Sequence, residues 1–188
     1  DEAEVSLFFS PQGYAVTKGI LPLINEAKDT IDVSIFFLTH NKISKALVKA
    51  KERGVKVRII LDATAATNGY SKHNYLREKG IKVKVESWGG KMHMKAAVID
   101  NKHIILGSMN WTLAGEKKND ENTIIINNSP KLGTQLSSFF EEMWNSIPGS
   151  WLKKDPLPES LVSGTSCYDS IDNDFDNIID SNEKECLM

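Results

Sequence analysis

Cysteine is nearly absent from this chain of 188 residues: there are two, Cys167 and Cys186, both near its end. Neither has a second cysteine two residues away or a histidine at zinc-ligand spacing, which excludes a zinc-built domain. The pair brackets a polar loop and reads as one disulfide, worth ~3 kcal/mol to the segment it closes. Such a bridge implies an oxidising compartment. No apolar run approaches the length that crosses a bilayer, so stable membrane insertion is not expected. Residues 1–150 hold no compact histidine or carboxylate cluster of the kind that grips two catalytic metals. There is no internal repeat. An opening methionine is missing too; Asp1-Glu2-Ala3-Glu4 reads as the start of a mature or truncated product whose leader has been removed, hence secreted or periplasmic.

Strong net charge is also lacking, at −2 overall, but the balance is uneven. Residues 1–150 carry 20 Lys/Arg against 16 Asp/Glu, and residues 151–188 carry 3 against 9. A mildly basic body of net +4 with an acidic tail of net −6 suits a polyanionic substrate for the body.

What the chain does have is one dense stretch, Met92 to Thr112. It contains His93, Lys95 and Asp100 in the order His-x-Lys-x4-Asp, then Gly107-Ser108-x-Asn110. Met92 to Ile99 reads as a strand, Asp100-Asn101 as a turn, and His103 to Leu106 as the returning strand. Side chains alternate along a strand, so His93 and Lys95 share a face. The pairing returns Ser108 and Asn110 to their level. An imidazole, an ammonium, a hydroxyl and an amide then converge, a set suited to phosphate.

Around this hairpin, strands are expected at Val5–Phe9, Ile31–Leu38, Val55–Leu61, Ile81–Glu86 (half exposed) and Glu121–Asn127. Helices are expected from about Tyr14 to Lys28, with Pro22 inside it, after a cap at Asn41, and near Tyr75–Lys79. A last helix should lay Leu132, Leu136, Phe139, Phe140, Met143 and Ile147 on the sheet. The lysines of the helix after Asn41 read as a solvated face. Alternating strands and helices give an α/β class: a layered α/β/α domain with a central mixed β-sheet, plus a small disulfide-closed calcium-loop tail. The boundaries read as a catalytic domain at 1–148, a Pro-containing linker at 149–166 and a tail at 167–188.

In the tail, Asp172, Asp174, Asp176, Asp180 and Glu183 fall at positions 1, 3, 5, 9 and 12 of the calcium pattern D-x-[DN]-x-[DN]-G-x5-E. Ile178 would add its carbonyl, and Asn177 stands where glycine is usual. The loop resembles the EF-hand-like calcium loops appended to many secreted bacterial proteins, without evident flanking helices. Any Ca2+ would be structural.

The hairpin, with its trailing Gly-Ser-x-Asn, resembles the HKD motif of the phospholipase D superfamily, and the likeness covers roughly Val5 to Ile147. It implies catalysis without a metal cofactor. His93 would attack phosphorus to give a covalent phosphohistidine, or act as the acid. Lys95, Asn110 and Ser108 would hold the non-bridging oxygens, with Asp100 in support. Glu121, followed by Asn122, fits the family's imidazole-orienting carboxylate; Asp120 is the alternative. One motif supplies one histidine where the reaction needs two, so the resemblance implies a homodimer with a composite active site. Single-motif bacterial members are mostly endonucleases of broad preference, which favours DNA or RNA as substrate, with Trp111, Tyr70 and Trp88 near enough to stack on bases. The alternative is a phospholipid hydrolase using the same residues. A third is a calcium-stabilised binding module with a dead catalytic domain. His103 reads as structural.

Overall fold

The β-branched and apolar segments pair into one seven-stranded sheet in the order β1-β7-β6-β5-β2-β3-β4. The strands are β1 (Glu4–Ser10), β2 (Thr30–Ile35), β3 (Lys56–Leu61), β4 (Lys82–Val85), β5 (Lys95–Ile99), β6 (His103–Gly107) and β7 (Glu121–Asn127). The computed structural model describes residues 3–86 and 91–156. β2, β3 and β4 are parallel and the remaining pairings antiparallel, so the sheet is mixed, as expected. The helices are α1 (Leu21–Glu26), α2 (Asn41–Glu52), α3 (Ala63–Thr67), α4 (His73–Glu78), α5 (Leu113–Lys117) and α6 (Pro130–Ser146).

Alternation sends successive strand residues to opposite faces. Ile31, Val33, Ile35, Ile59, Ile105 and Ile125 join the main core with Ile24, Ile43, Leu47 and Leu76 from α1, α2 and α4. Ile60 points the other way, into a second cluster with Phe140, Trp144 and Ile147 at α6. The result is three layers, α/β/α.

Five expectations need correction. The helix at Tyr14–Lys28 is a π-helical segment, Ala15–Ile20, followed by α1, with Pro22 in the first turn of α1. There the missing N–H costs nothing. α2 is capped by His40 rather than Asn41, its Nδ1 accepting from Ile43 N at 3.4 Å. β4 is not half exposed: Lys84 is buried and donates to the Trp144 and Ile147 carbonyls at 2.6 and 2.5 Å. Its ammonium thereby satisfies the orphan carbonyls and negative pole at the end of α6. The expected stripe on α6 splits, since Phe140 is buried while Leu132 and Phe139 stay 43% and 48% exposed. Finally, the expected linker begins as part of the domain. Trp151 and Leu152 pack on the α6 cluster, and Asp155 bridges His73 (2.9 Å) and Arg77 (2.7 Å) on α4. The expected tail, with Cys167, Cys186 and the calcium-loop residues, lies outside the described residues.

The hairpin turn carries Asp100 and Asn101 at φ 51° and 53°, the paired positive φ of a tight primed turn, which Asp and Asn tolerate. The Asp100 carboxylate accepts from the backbone N–H groups of Lys28, Asp29 and Thr30 at 2.9, 2.8 and 3.0 Å. It thus bolts the turn to the entry of β2. Burial pushes this carboxyl up, but the three donors outweigh that and hold it below the usual range. Asp100→Ala is expected to destabilise the fold by about 3 kcal/mol, from the loss of three hydrogen bonds to a charged acceptor and a strained αL alanine; urea unfolding measures it.

Glu116 and Asp155 are also held low. Burial opposes in each case, and the hydrogen bonds from His40, and from His73 and Arg77, prevail. A depressed carboxyl stabilises the fold above its unfolded pKa, and that contribution disappears as pH falls through the folded value. Stability should therefore be level near neutrality and drop steeply below about pH 4, as thermal melts across pH would show.

Candidate active site

The C-terminal ends of β2 and β6 and the N-terminal ends of β5 and β7 meet at one edge of the sheet. Ile35 pairs with Lys95, and Phe36 N bonds to Met94 O at 3.0 Å. β5 therefore starts at Lys95, three residues later than expected, and His93 lies on the connection just ahead of it. The two still share a side. The His93 ring lies 4.8 Å from the Phe36 ring, and the Lys95 ammonium lies 5.1 Å from the same ring. Lys95 is 7% exposed, and its Nζ donates to the His93 carbonyl at 2.7 Å. Phe36 thus seats both groups.

From β6, Gly107 pairs with Thr123 and puts Ser108 beside Asn122. A side chain at Gly107 would run into the Asn122 backbone, so the motif glycine permits this close approach. Ser108 Oγ donates to Glu121 Oε2 at 2.5 Å and accepts from Asn122 N at 3.1 Å. Asn110 Oδ1 accepts from Phe37 N at 3.2 Å, which leaves its amide NH2 as a donor.

His93 is exposed, and among the described residues its ring makes no hydrogen bond. Burial of the ring and then the Lys95 charge pull its pKa below the ordinary histidine value, with Asp62 opposing. The neutral, nucleophilic form is favoured at neutral pH. Burial lowers Lys95 too, against Glu121 and Asp62. The other histidines are engaged. His40 Nε2 donates to Glu116 at 3.0 Å, His73 lies between Ser71 and Asp155, and His103 contacts Asn127 and Asn128.

Strand register brings His93, Lys95, Ser108, Asn110 and Glu121 to the same end of the sheet; Glu121, expected to orient an imidazole, accepts within the chain from Ser108 Oγ and from Asn119 Nδ2 at 3.0 Å. Two expected members stand apart. Asp100 is at the opposite end of the hairpin and acts on the scaffold. Trp111 is 1% exposed, in the main core. Its carbonyl accepts from Thr39 N and His40 N, and its N–H reaches Phe37 O; it supports Asn110 from behind rather than stacking on a substrate. Tyr70 is 79% exposed, and Trp88 lies outside the described residues. Asp62, at the end of β3, was not anticipated; it is fully buried and its Oδ2 accepts from Met92 N at 2.9 Å. Its only signal in the sequence was a carboxylate closing an apolar strand.

A neutral imidazole beside a fixed ammonium, with amide and hydroxyl donors around them, is an arrangement for displacement at phosphorus, and it places the protein among the phosphodiester hydrolases. Residues 20–144 match the family model described as cardiolipin synthase, PLD-like domain. The phospholipase D of Rickettsia prowazekii (strain Madrid E) is 33% identical over 144 residues, 77% of this chain and 70% of the relative. A mitochondrial cardiolipin hydrolase of Chlamydomonas reinhardtii is 32% identical over 125 residues, 66% of this chain and 56% of the relative. The crystal structure of Nuc, a phospholipase D family member from Salmonella typhimurium, superposes with a TM-score of 0.75 at 34% identity. That likeness covers 83% of this chain and 99% of Nuc. The chain belongs to the phospholipase D superfamily.

Proposed function

We infer that this phosphodiesterase is a nuclease of broad sequence preference that cleaves DNA or RNA through a phosphohistidine at His93, without a metal. The observation that carries the mechanism is the state of the four histidines: three are engaged in structural bonds, and His93 stands exposed beside Lys95. An imidazole nitrogen of His93 attacks phosphorus, and the P–O bond to the leaving alcohol breaks as a second imidazole gives that oxygen its proton. The second imidazole then takes a proton from water, water attacks phosphorus, and the P–N bond breaks. Lys95 and Asn110 hold the non-bridging oxygens throughout.

The second imidazole comes from a second copy of the chain. In support, α6 leaves part of the sheet uncovered. Val5, Leu7 and Phe9 of β1 are 59%, 60% and 62% exposed on the face shared with Leu132 and Phe139. That apolar area runs to the edge that bears Glu121, which pairs with Ser10. A charge there should split the dimer: Leu7→Lys is expected to run as a monomer by light scattering, with activity lost in proportion. In the tail, Asp172, Asp174, Asp176, Ile178, Asp180 and Glu183 would hold Ca2+, closed by Cys167–Cys186, in a secreted or periplasmic protein. Calcium titration of the oxidised chain tests this, with Asp172→Asn as the variant that loses binding.

A phospholipid substrate is the second reading, favoured by the phospholipase D and cardiolipin hydrolase names of the Rickettsia and Chlamydomonas relatives and by the exposed Tyr14, Tyr70 and Leu113. Hydrolysis of single- and double-stranded DNA, RNA and cardiolipin vesicles in excess EDTA separates the two. Nucleic-acid cleavage that persists in EDTA is expected; turnover of vesicles alone would overturn the nuclease reading.

A further inference from the structure

We propose that Asp62 is a positioning residue of the active site: its carboxylate ties down the backbone that presents His93 and sets a fixed negative charge behind the His93–Lys95 pair. The inference rests on the phosphohistidine reading above.

Asp62 has no exposed surface. Its Oδ1 accepts from Thr64 N at 2.8 Å and Ala65 N at 3.3 Å, which caps α3. Capping uses that one oxygen. Oδ2 does something a cap does not require, crossing to Met92 N, thirty residues on in sequence. Met92 is itself 3% exposed and packs in the α6 cluster.

The tether matters because His93 precedes β5. No ladder hydrogen bond of the strand reaches it; its own N–H turns back to Lys91 O at 2.8 Å. Instead the segment is held on either side, by Met92 N to Asp62 and by Phe36 N to Met94 O. Removing the first hold lets the imidazole swing away from the line of attack, where a displacement of about 1 Å costs roughly 100-fold in rate. The second arm of the role is electrostatic. Burial holds the Asp62 carboxyl above the usual carboxylate range, and Lys91 and the three N–H donors offset that only in part by favouring its charged form. That charge opposes the pull of burial and of Lys95 on His93. Lys95, Asp62 and, through Lys95, Glu121 are the charged groups bearing on this imidazole. Glu86, buried beside the turn, accepts from Ala63 N at 2.9 Å and steadies it.

Asp62→Ser separates the roles, since serine caps a helix as well as aspartate but neither reaches Met92 nor carries charge. The full chain should fold, kcat should fall roughly 10- to 100-fold with KM little changed, and the pH–rate profile should move to lower pH. A folded variant with wild-type kcat and an unmoved profile would overturn the proposal. Should the serine variant not fold, Asp62→Asn, of the same size, keeps one accepting oxygen for the α3 cap but turns an NH2 toward Met92 N and removes the charge, so the same fall in kcat and the same pH shift are expected, and their absence would overturn the proposal. Histidine NMR titration of His93 in wild type and variant reads that shift without any substrate. A wild-type chain inactive on every phosphodiester would sink the underlying reading, while an active wild type with an indifferent Asp62→Ser would sink only this inference.

Discussion

His93→Ala is expected to lower kcat on any phosphodiester by roughly 1,000-fold or more, with KM and the melting temperature nearly unchanged. The size follows from what is lost: the group that forms the covalent bond has no substitute nearby, because Lys95 is directed to the His93 carbonyl and Phe36. Stability should hold because the ring is exposed and bonded to nothing among the described residues. The contrast is with His40, which joins α2 to α5 through Glu116 in a buried pair. His40→Ala should cost folding stability first and activity only as a consequence, leaving the buried Glu116 carboxylate with the half-exposed Lys117 as its remaining partner. Kinetics and melts on the two variants together distinguish catalytic from structural histidine.

Trp111→Ala should have the largest effect on stability, a loss of about 4 kcal/mol. The side chain is among the largest fully buried ones, and its backbone joins Phe37, Thr39 and His40. These contacts fix Asn110, whose Oδ1 also bonds to Phe37, so the surviving folded fraction should lose activity as well. Trp111→Phe should restore most of both. A stacking residue would behave differently, with Ala raising KM and leaving the urea midpoint in place. Urea unfolding together with KM thus decides where Trp111 acts.

The hairpin and β7 were legible from short, continuous apolar runs, and the hairpin also from its turn, Asp100-Asn101, of the residues that accept positive φ. His93 and Lys95 were placed together by strand parity, and Ser108 and Asn110 by the hairpin pairing, whereas Glu121 was expected from the family resemblance. Lys84 was misread for the same reason that Lys82 was read correctly. Alternating lysines look solvated, and the carbonyls that receive Lys84 belong to a helix end sixty residues later. The α6 stripe was read as one surface, yet the helix buries Phe140 and Trp144 against Ile60 and leaves the β1 end of the sheet uncovered, so Leu132 and Phe139 stay open. Trp111 carried no periodic signal, and its burial is set by the isolated bridge to Leu38. Asp62 escaped because its partner amide on Met92 becomes a neighbour only once β3 and β5 share a sheet.

The central claim is that His93 becomes covalently phosphorylated. Quenching a single turnover in alkali, with excess EDTA present, and locating the added mass by peptide spectrometry tests it most directly. The account requires a phosphoramidate on the peptide bearing His93, absent from His93→Ala. Full turnover with no such adduct at any time, or turnover abolished by EDTA and restored by a metal, would contradict it.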